Sequence, residues 1–279
     1  MNNKPRQIFI ENQERKISYY ISGNSESRNA LFFLNGLYHG NDVWIKQQRY
    51  PFFANGYRLI FMDYRGLGKS EEKNAICAYT FDDVADDILS IINKEHIDKI
   101  NLVGYSIGGM MAIYFAYKFQ SRVEKMILLN TTASENLRTS KIMAGVIKLI
   151  DENASSNSIF STVYPMNHSN WYLDKVADFE NVVLKKYIEY NRNREAFKYL
   201  LLSIKNRPDL EKAIDSIDFP MIVFSGDKDY VYPIEFQERI VRGKNGREHF
   251  IIKNCGHASF IEKYDEINSL IENFLSENN

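Results

Sequence analysis

The stretch INLVGYSIGGMMAIYFAYKF, residues 100–119, decides the fold: an apolar run of strand length meets Gly-Tyr-Ser-Ile-Gly-Gly and passes directly into a helical pattern. If a strand ends near Gly104 and a helix starts near Ile107, the chain must bend sharply at Ser106. Small residues at Gly104 and Gly108 let strand and helix approach, so the hydroxyl is presented at the carboxyl edge of a sheet. The first amides and the dipole of the helix favour negative charge, which makes the N–H of Ile107 a candidate oxyanion donor. A glycine-rich turn with an idle serine has the same local pattern, so the serine's partners must come from elsewhere in the chain.

On either side of this stretch strands and helices alternate. ALFFLNG (30–36), YRLIFMD (57–63), INLVG (100–104) and VEKMILLN (123–130) are nearly continuous apolar runs of strand length, which predicts strands buried on both faces. Helical patterns separate them at 42–54 and 80–93, the second opening on Thr80 with Asp82 and Asp83 in its first turn. FPMIVFSG (219–226), a helical PIEFQERIV, HFIIK (249–253) and a closing helix over 260–275 continue the series. Near the N-terminus, 7–10 and 17–22 flank a polar turn and predict an antiparallel hairpin. The alternation implies an α/β fold with a mostly parallel, eight-stranded sheet flanked by helices. It is interrupted once, at 131–218, where SKIMAGVIKLIDE and ENVVLKKYIEYNRNREAFKYLLLSI show helical periodicity and no strand pattern. This predicts a core of 1–130 and 219–279 with a helical insertion, 131–218, after the sixth strand and over one end of the sheet. A second helical domain packed beside the sheet would show the same periodicity.

Composition narrows the class of partner. At 279 residues the chain can hold one large α/β domain with an insertion, and 44% hydrophobic with 25% charged residues is ordinary for a globular protein. A formal net charge of −1 gives no reason to expect nucleic acid or an anionic membrane. The opening MNNKPRQIFIENQERK lacks the apolar core of a secretory signal, and no apolar run reaches bilayer length. Cys77 and Cys255 offer neither a disulfide framework nor a metal-ligand spacing. The expectation is a cytoplasmic protein with no metal, no cofactor, no membrane insertion and a small-molecule partner; monomer and homodimer both remain open.

A serine near its unperturbed pKa needs a base. Of the five histidines, His39, His96, His168, His249 and His257, only His257 follows the last strand in a loop, KNCGHASF, just ahead of the final helix. His249 falls within the strand HFIIK, and His39 reads as a solvated loop residue near the pocket mouth. The base needs a carboxylate to fix its tautomer. VFSGDKDYVYP offers Asp227 and Asp229 after the preceding strand; Asp229 is favoured, three residues beyond Gly226 and just ahead of the next helix. Turn chemistry alone also places Gly and Asp there.

Four segments in this order, LNGLYHG, DYRGLGKS, GYSIGG and the pair GDKD and CGH, resemble the α/β-hydrolase family over essentially the whole chain. The resemblance implies Ser106 as nucleophile, His257 as general base and acid, Asp229 as orienting acid, and the N–H groups of Leu37 and Ile107 as the oxyanion hole. It also makes 131–218 the family's cap, with Tyr38, Tyr105 and Trp171 as candidate substrate contacts. Asn35-Gly36 stands where many relatives have His-Gly, leaving the surroundings of the hole open, while Asp63, Arg65 and Ser70 are assigned to loop bonding. The implied activity is hydrolysis of a small or medium carboxylic ester, lactone or thioester; carbon–carbon cleavage of β-diketones also stays open. A serine at this position disfavours the branches that use a carboxylate nucleophile. Phe160, Tyr164, Trp171 and Tyr172 lean toward an apolar or ring substrate. The alternatives are an acyltransferase with an acyl-thioester donor, and a ligand receptor or signalling protein with little turnover.

Overall fold

In the computed structural model, which describes residues 5–11, 15–72 and 80–277, period-two alternation along the strands sets the architecture. The turn of the N-terminal hairpin and Cys77 lie outside the described residues. Strands β1 (Arg6–Glu11), β2 (Arg15–Gly23), β3 (Ala30–Leu34), β4 (Arg58–Met62), β5 (Glu71–Glu72), β6 (Ile100–Tyr105), β7 (Val123–Leu129), β8 (Met221–Gly226) and β9 (Arg247–Ile252) form one sheet. Its order is β1-β2-β4-β3-β6-β7-β8-β9, with the two-residue β5 paired to β2 off this path. Eight strands are those expected; β5 is too short to leave a sequence pattern. β1 and β2 pair antiparallel, β2 and β4 pair antiparallel, and every ladder from β4 to β9 is parallel.

All five side chains of β3 are buried, as a strand covered on both faces requires. Phe32 and Leu34 join one apolar cluster with the helices Phe81–Lys94 and Ile107–Lys118, while Leu31 and Phe33 join another with Trp44, Phe53, Phe260 and Ile271. Each such side chain contributes about 2 kcal/mol of burial, so the strand ends that carry the loops are held on a stiff platform. Thr80 caps the helix Phe81–Lys94 through a reciprocal bond with Asp83, as its sequence predicts.

Two helices expected as continuous are broken. The 42–54 segment divides into a short turn Asn41–Trp44, Ile45–Gln48 and Pro51–Gly56, because Tyr50, ahead of Pro51, takes an extended conformation (ψ 121°). The closing helix divides into Ser259–Glu262 and Tyr264–Ser276 at Lys263, directly after a glutamate whose carboxylate is fully bonded elsewhere.

Between β7 and β8 the described chain is helical: Leu137–Asp151, Ser156–Val163, Asn170–Val176, Glu180–Tyr190, Arg194–Lys205 and Leu210–Asp215, with short turns between. Asn136, Ser155, Ser169, Asn193 and Asp209 open five of these with side-chain caps, which is where the sequence's polar punctuation goes. The apolar faces of these helices, including Val146, Phe160, Tyr187 and Phe197, belong to the same cluster as β3 and β6, so the segment shares the main core. Among the described residues, no helix is long and apolar enough to cross a membrane.

Candidate active site

Because β3, β4 and β6 to β9 run parallel, the loops that follow them gather at one edge of the sheet. β3 and β6 are neighbours from which the chain winds in opposite directions, the place where open α/β sheets form a crevice. The loops bearing Leu37 and Ser106 leave from these two strands.

Ser106 has φ 54° and ψ −121°, a backbone region that non-glycine residues rarely occupy. Surrounding bonds hold it there: its N–H donates to Leu129 O at 3.0 Å and its carbonyl accepts from Thr131 Oγ1 at 2.6 Å. The close approach requires glycine, since a Cβ at Gly108 would collide with the backbone oxygens of Leu34 and Asn35. A Cβ at Gly104 would stand 2.6 Å from Gly109 Cα.

The structure brings Ser106, His257 and Asp229 into one hydrogen-bonded chain. His257 Nε2 lies 2.9 Å from Ser106 Oγ, and His257 Nδ1 lies 2.9 Å from Asp229 Oδ2. All three side chains are buried. Asp229 Oδ1 accepts from the amides of Val231 and Tyr232, both at 2.9 Å, while Oδ2 also accepts from Asn130 Nδ2 (3.0 Å) and Gln237 Nε2 (3.3 Å). A carboxylate that accepts from five donors is fixed in position. Asn130 and Gln237 were not singled out from the sequence; Asn130 is the first residue after β7, a strand end on the same edge. Asp227 is placed differently, accepting from the Cys255 amide at 3.2 Å in the adjoining turn. Burial pushes the Cys255 thiol well up, which leaves it unreactive, a packing residue beside the histidine loop.

Leu37, Tyr38, Tyr105, Ser106 and His257 line one small pocket of about 30 Å³, together with Ile142, Met143 and Val163. Ile107 is the first residue of its helix, so its amide has no intrahelical acceptor. Asn35 is wholly buried: its Oδ1 accepts from Trp44 Nε1 at 2.6 Å and its backbone O from the Tyr64 hydroxyl at 2.7 Å. Its amide therefore anchors the Leu37 loop from beneath. Ser70 Oγ donates to Asp63 O within the loop and accepts from Ser18 N of β2, and Arg65 pairs with Asp83 and Asp87 of the helix Phe81–Lys94, so these residues bond the loop to itself and to its neighbours.

Trp171 is placed elsewhere. Its ring is 46% exposed, lies under the ammonium groups of Lys175 and Lys263, and does not line the Ser106 pocket. Phe160, Tyr164 and Tyr172 instead line a larger neighbouring cavity of about 260 Å³, which shares Tyr38, Val163 and Asn167 with the Ser106 pocket. His39 is in its wall, contrary to the expectation of a solvated loop residue. Burial lowers its pKa to about 4 in spite of the nearby Asp42 carboxylate, so it is uncharged near neutrality.

A second histidine–carboxylate pair adjoins the first. Glu262 accepts from His168 Nδ1 (3.3 Å), Ser169 N (3.0 Å), Ser169 Oγ (2.6 Å) and Gly256 N (3.1 Å), tying the helical segment to the residue before His257. Burial pushes this carboxyl up, but these bonds outweigh it and hold the group below its ordinary 4.5. A depressed pKa contributes stability that is complete above the ordinary value and is lost as pH falls through the lower one. Glu262→Gln is expected to cost about 3 kcal/mol near neutrality, leaving His168 and the Gly256 amide ill-matched. Denaturant unfolding as a function of pH checks this: the gap between wild type and variant should narrow on acidification below the ordinary glutamate range.

Residues 29–264 match the family model described as alpha/beta hydrolase fold. The chain is similar to the AB hydrolase superfamily protein YisY of Bacillus subtilis (strain 168), at 27% identity over 95% of this chain and 98% of that protein. It is equally similar, at 27%, to 2-hydroxy-6-oxo-6-phenylhexa-2,4-dienoate hydrolase of Comamonas testosteroni, over 93% of this chain and 91% of that one. Among solved structures, the enol-lactonase of Burkholderia xenovorans LB400 superposes with a TM-score of 0.86 at 20% identity, covering 97% of this chain and 100% of the other, a likeness of fold.

Proposed function

The chain belongs to the α/β-hydrolase family of enzymes, and from that premise we propose that it is a serine hydrolase of small or medium carboxylic esters, lactones or thioesters, working through an acyl-enzyme on Ser106. The observation that carries this reading is the chain of two 2.9 Å contacts from Ser106 Oγ through His257 to Asp229. His257 takes the hydroxyl proton as Ser106 attacks the carbonyl carbon, and the oxyanion is held by the amides of Leu37 and Ile107, each contributing roughly 3 kcal/mol to the transition state. The same imidazole returns the proton to the leaving group. Water, deprotonated by His257, then displaces the acyl group and regenerates the serine. The helices of 131–218 serve as the cap: Val163, Met166 and Asn167 from that segment close the Ser106 pocket and keep bulk water from the intermediate. The relatives' names range from a dienoate hydrolase to an enol-lactonase, so family membership leaves the acyl group open.

A fluorophosphonate probe tests this reading. One equivalent is expected to attach to the native protein, with peptide mapping placing it on Ser106. Attachment at any other serine would refute the assignment.

A further inference from the structure

The cavity beside the Ser106 pocket has a chemistry of its own. At about 260 Å³ it has several times the room of the 30 Å³ next to the serine, and the two share Tyr38, Val163 and Asn167 as a common wall. Cavities of about 150 Å³ take up benzene, so this one has space for a substituted ring. Phe160, Tyr164, Tyr172, Tyr187 and Ile261 supply apolar and aromatic surface. Tyr38 divides the two spaces from a left-handed backbone (φ 74°), with its ring packed 5.3 Å from Phe197 and 5.9 Å from Tyr187.

Two imidazoles enter this apolar wall. His168 is buried and gives its Nδ1 to Glu262, which fixes the ring and leaves Nε2 with no protein partner among the described residues. His39 also has an unpartnered Nε2. Of the charged side chains lining the cavity, Lys186 and Asp42 pair with each other and Lys46, which is exposed, lies over the Tyr264 ring, while Glu262 stands behind His168. Among the described lining residues the charge without a counter-charge, Lys46, is exposed to solvent, so a charged ligand group would be screened there rather than held. An uncharged oxygen would meet an oriented nitrogen.

We propose that this cavity receives the bulkier half of the substrate, an uncharged ring-sized group bearing a hydroxyl, ether or carbonyl oxygen, and that His168 recognises that oxygen. The inference rests on the serine-hydrolase reading, because the cavity gains its meaning from the Ser106 pocket across the Tyr38 wall. His168 acts on specificity: it touches the substrate away from the reacting carbonyl.

The test uses esters matched in shape and differing by one oxygen. Para-methoxybenzyl acetate is compared with para-ethylbenzyl acetate, and the methyl esters of para-methoxyphenyl- and para-ethylphenylpropionic acid place the ring on the acyl side instead. In the native enzyme one of these pairs is expected to show kcat/KM favouring the oxygenated member by about fivefold, the worth of one hydrogen bond. His168→Phe should bring that ratio to about one, chiefly through KM, and His168→Gln should restore part of it. Para-methoxybenzyl alcohol should likewise inhibit the native enzyme more tightly than para-ethylbenzyl alcohol, a readout that needs no variant to fold. Equal kcat/KM within both pairs, equal inhibition by both alcohols, or a preference that survives in folded His168→Phe overturns the proposal. If hydrolysis of all four esters persists in Ser106→Ala, the serine-hydrolase reading falls instead, so the two failures are distinct.

Discussion

Asp229→Asn is expected to lower kcat/KM by about 10⁴-fold, and Asp227→Asn by less than about tenfold. The difference follows from what each carboxylate accepts. Asp229 receives two backbone amides on Oδ1, and two side-chain amides together with His257 Nδ1 on Oδ2. An asparagine can satisfy only one set. With its oxygen toward Val231 and Tyr232, its NH2 group points at Asn130 Nδ2, Gln237 Nε2 and His257. His257 must then present an unprotonated Nδ1, which puts the proton on Nε2 and removes the base from Ser106. With the amide reversed, the NH2 group meets two backbone N–H donors and the loop shifts. Asp227, half-buried, accepts one amide at 3.2 Å, which an asparagine oxygen can replace. Steady-state kinetics on a short-chain nitrophenyl ester checks both variants. A large loss with Asp227→Asn and a small one with Asp229→Asn would move the orienting acid two residues upstream.

Most of the scaffold could be read from the chain because the parallel strands leave continuous apolar runs, and because Ser106, Asp229 and His257 each follow a different strand of the same edge. Glycines 104 and 108 marked the close approach of strand and helix, where a Cβ at either would meet backbone atoms within 3 Å. What escaped reading was set by contacts between distant segments. His168 and Glu262 are 94 positions apart, and neither stands in a local pattern that announces a buried pair. His39 occupies a loop, which argues for solvent, yet Tyr164 and Tyr187 from the helical segment help close the cavity over it. Trp171 shows the converse: an aromatic in an amphipathic segment gives no indication of which face it takes, and this one lies outward beneath two lysines. The break at Tyr50 was legible from Pro51, whereas the break at Lys263 coincides with bonds to Glu262 that only the folded chain reveals.

Ser106→Ala is expected to remove about 10⁶-fold of kcat while leaving the fold intact. Both halves of the result matter. The hydroxyl is the only group lost, and among the described residues its one hydrogen bond is with His257 Nε2. The strained backbone at 106 is held through main-chain groups, the N–H to Leu129 O and the carbonyl to Thr131 Oγ1, which alanine retains. Alanine also has the same Cβ as serine, so φ 54° costs it no new clash. The stability change should therefore be that of one hydrogen bond, about 1 kcal/mol, or a shift in Tm of only about 2–4 °C for a chain of this size. The loss of rate is far larger because no other group can attack: His257 and the two amides remain, but they can assist only water, and the residual activity should be that of a bound, polarised carbonyl. Stopped assays with a concentrated sample, alongside thermal unfolding, separate the two quantities. Residual turnover within about a hundredfold of the native rate, in a protein shown to be free of native contamination, would mean that another group carries the acyl transfer.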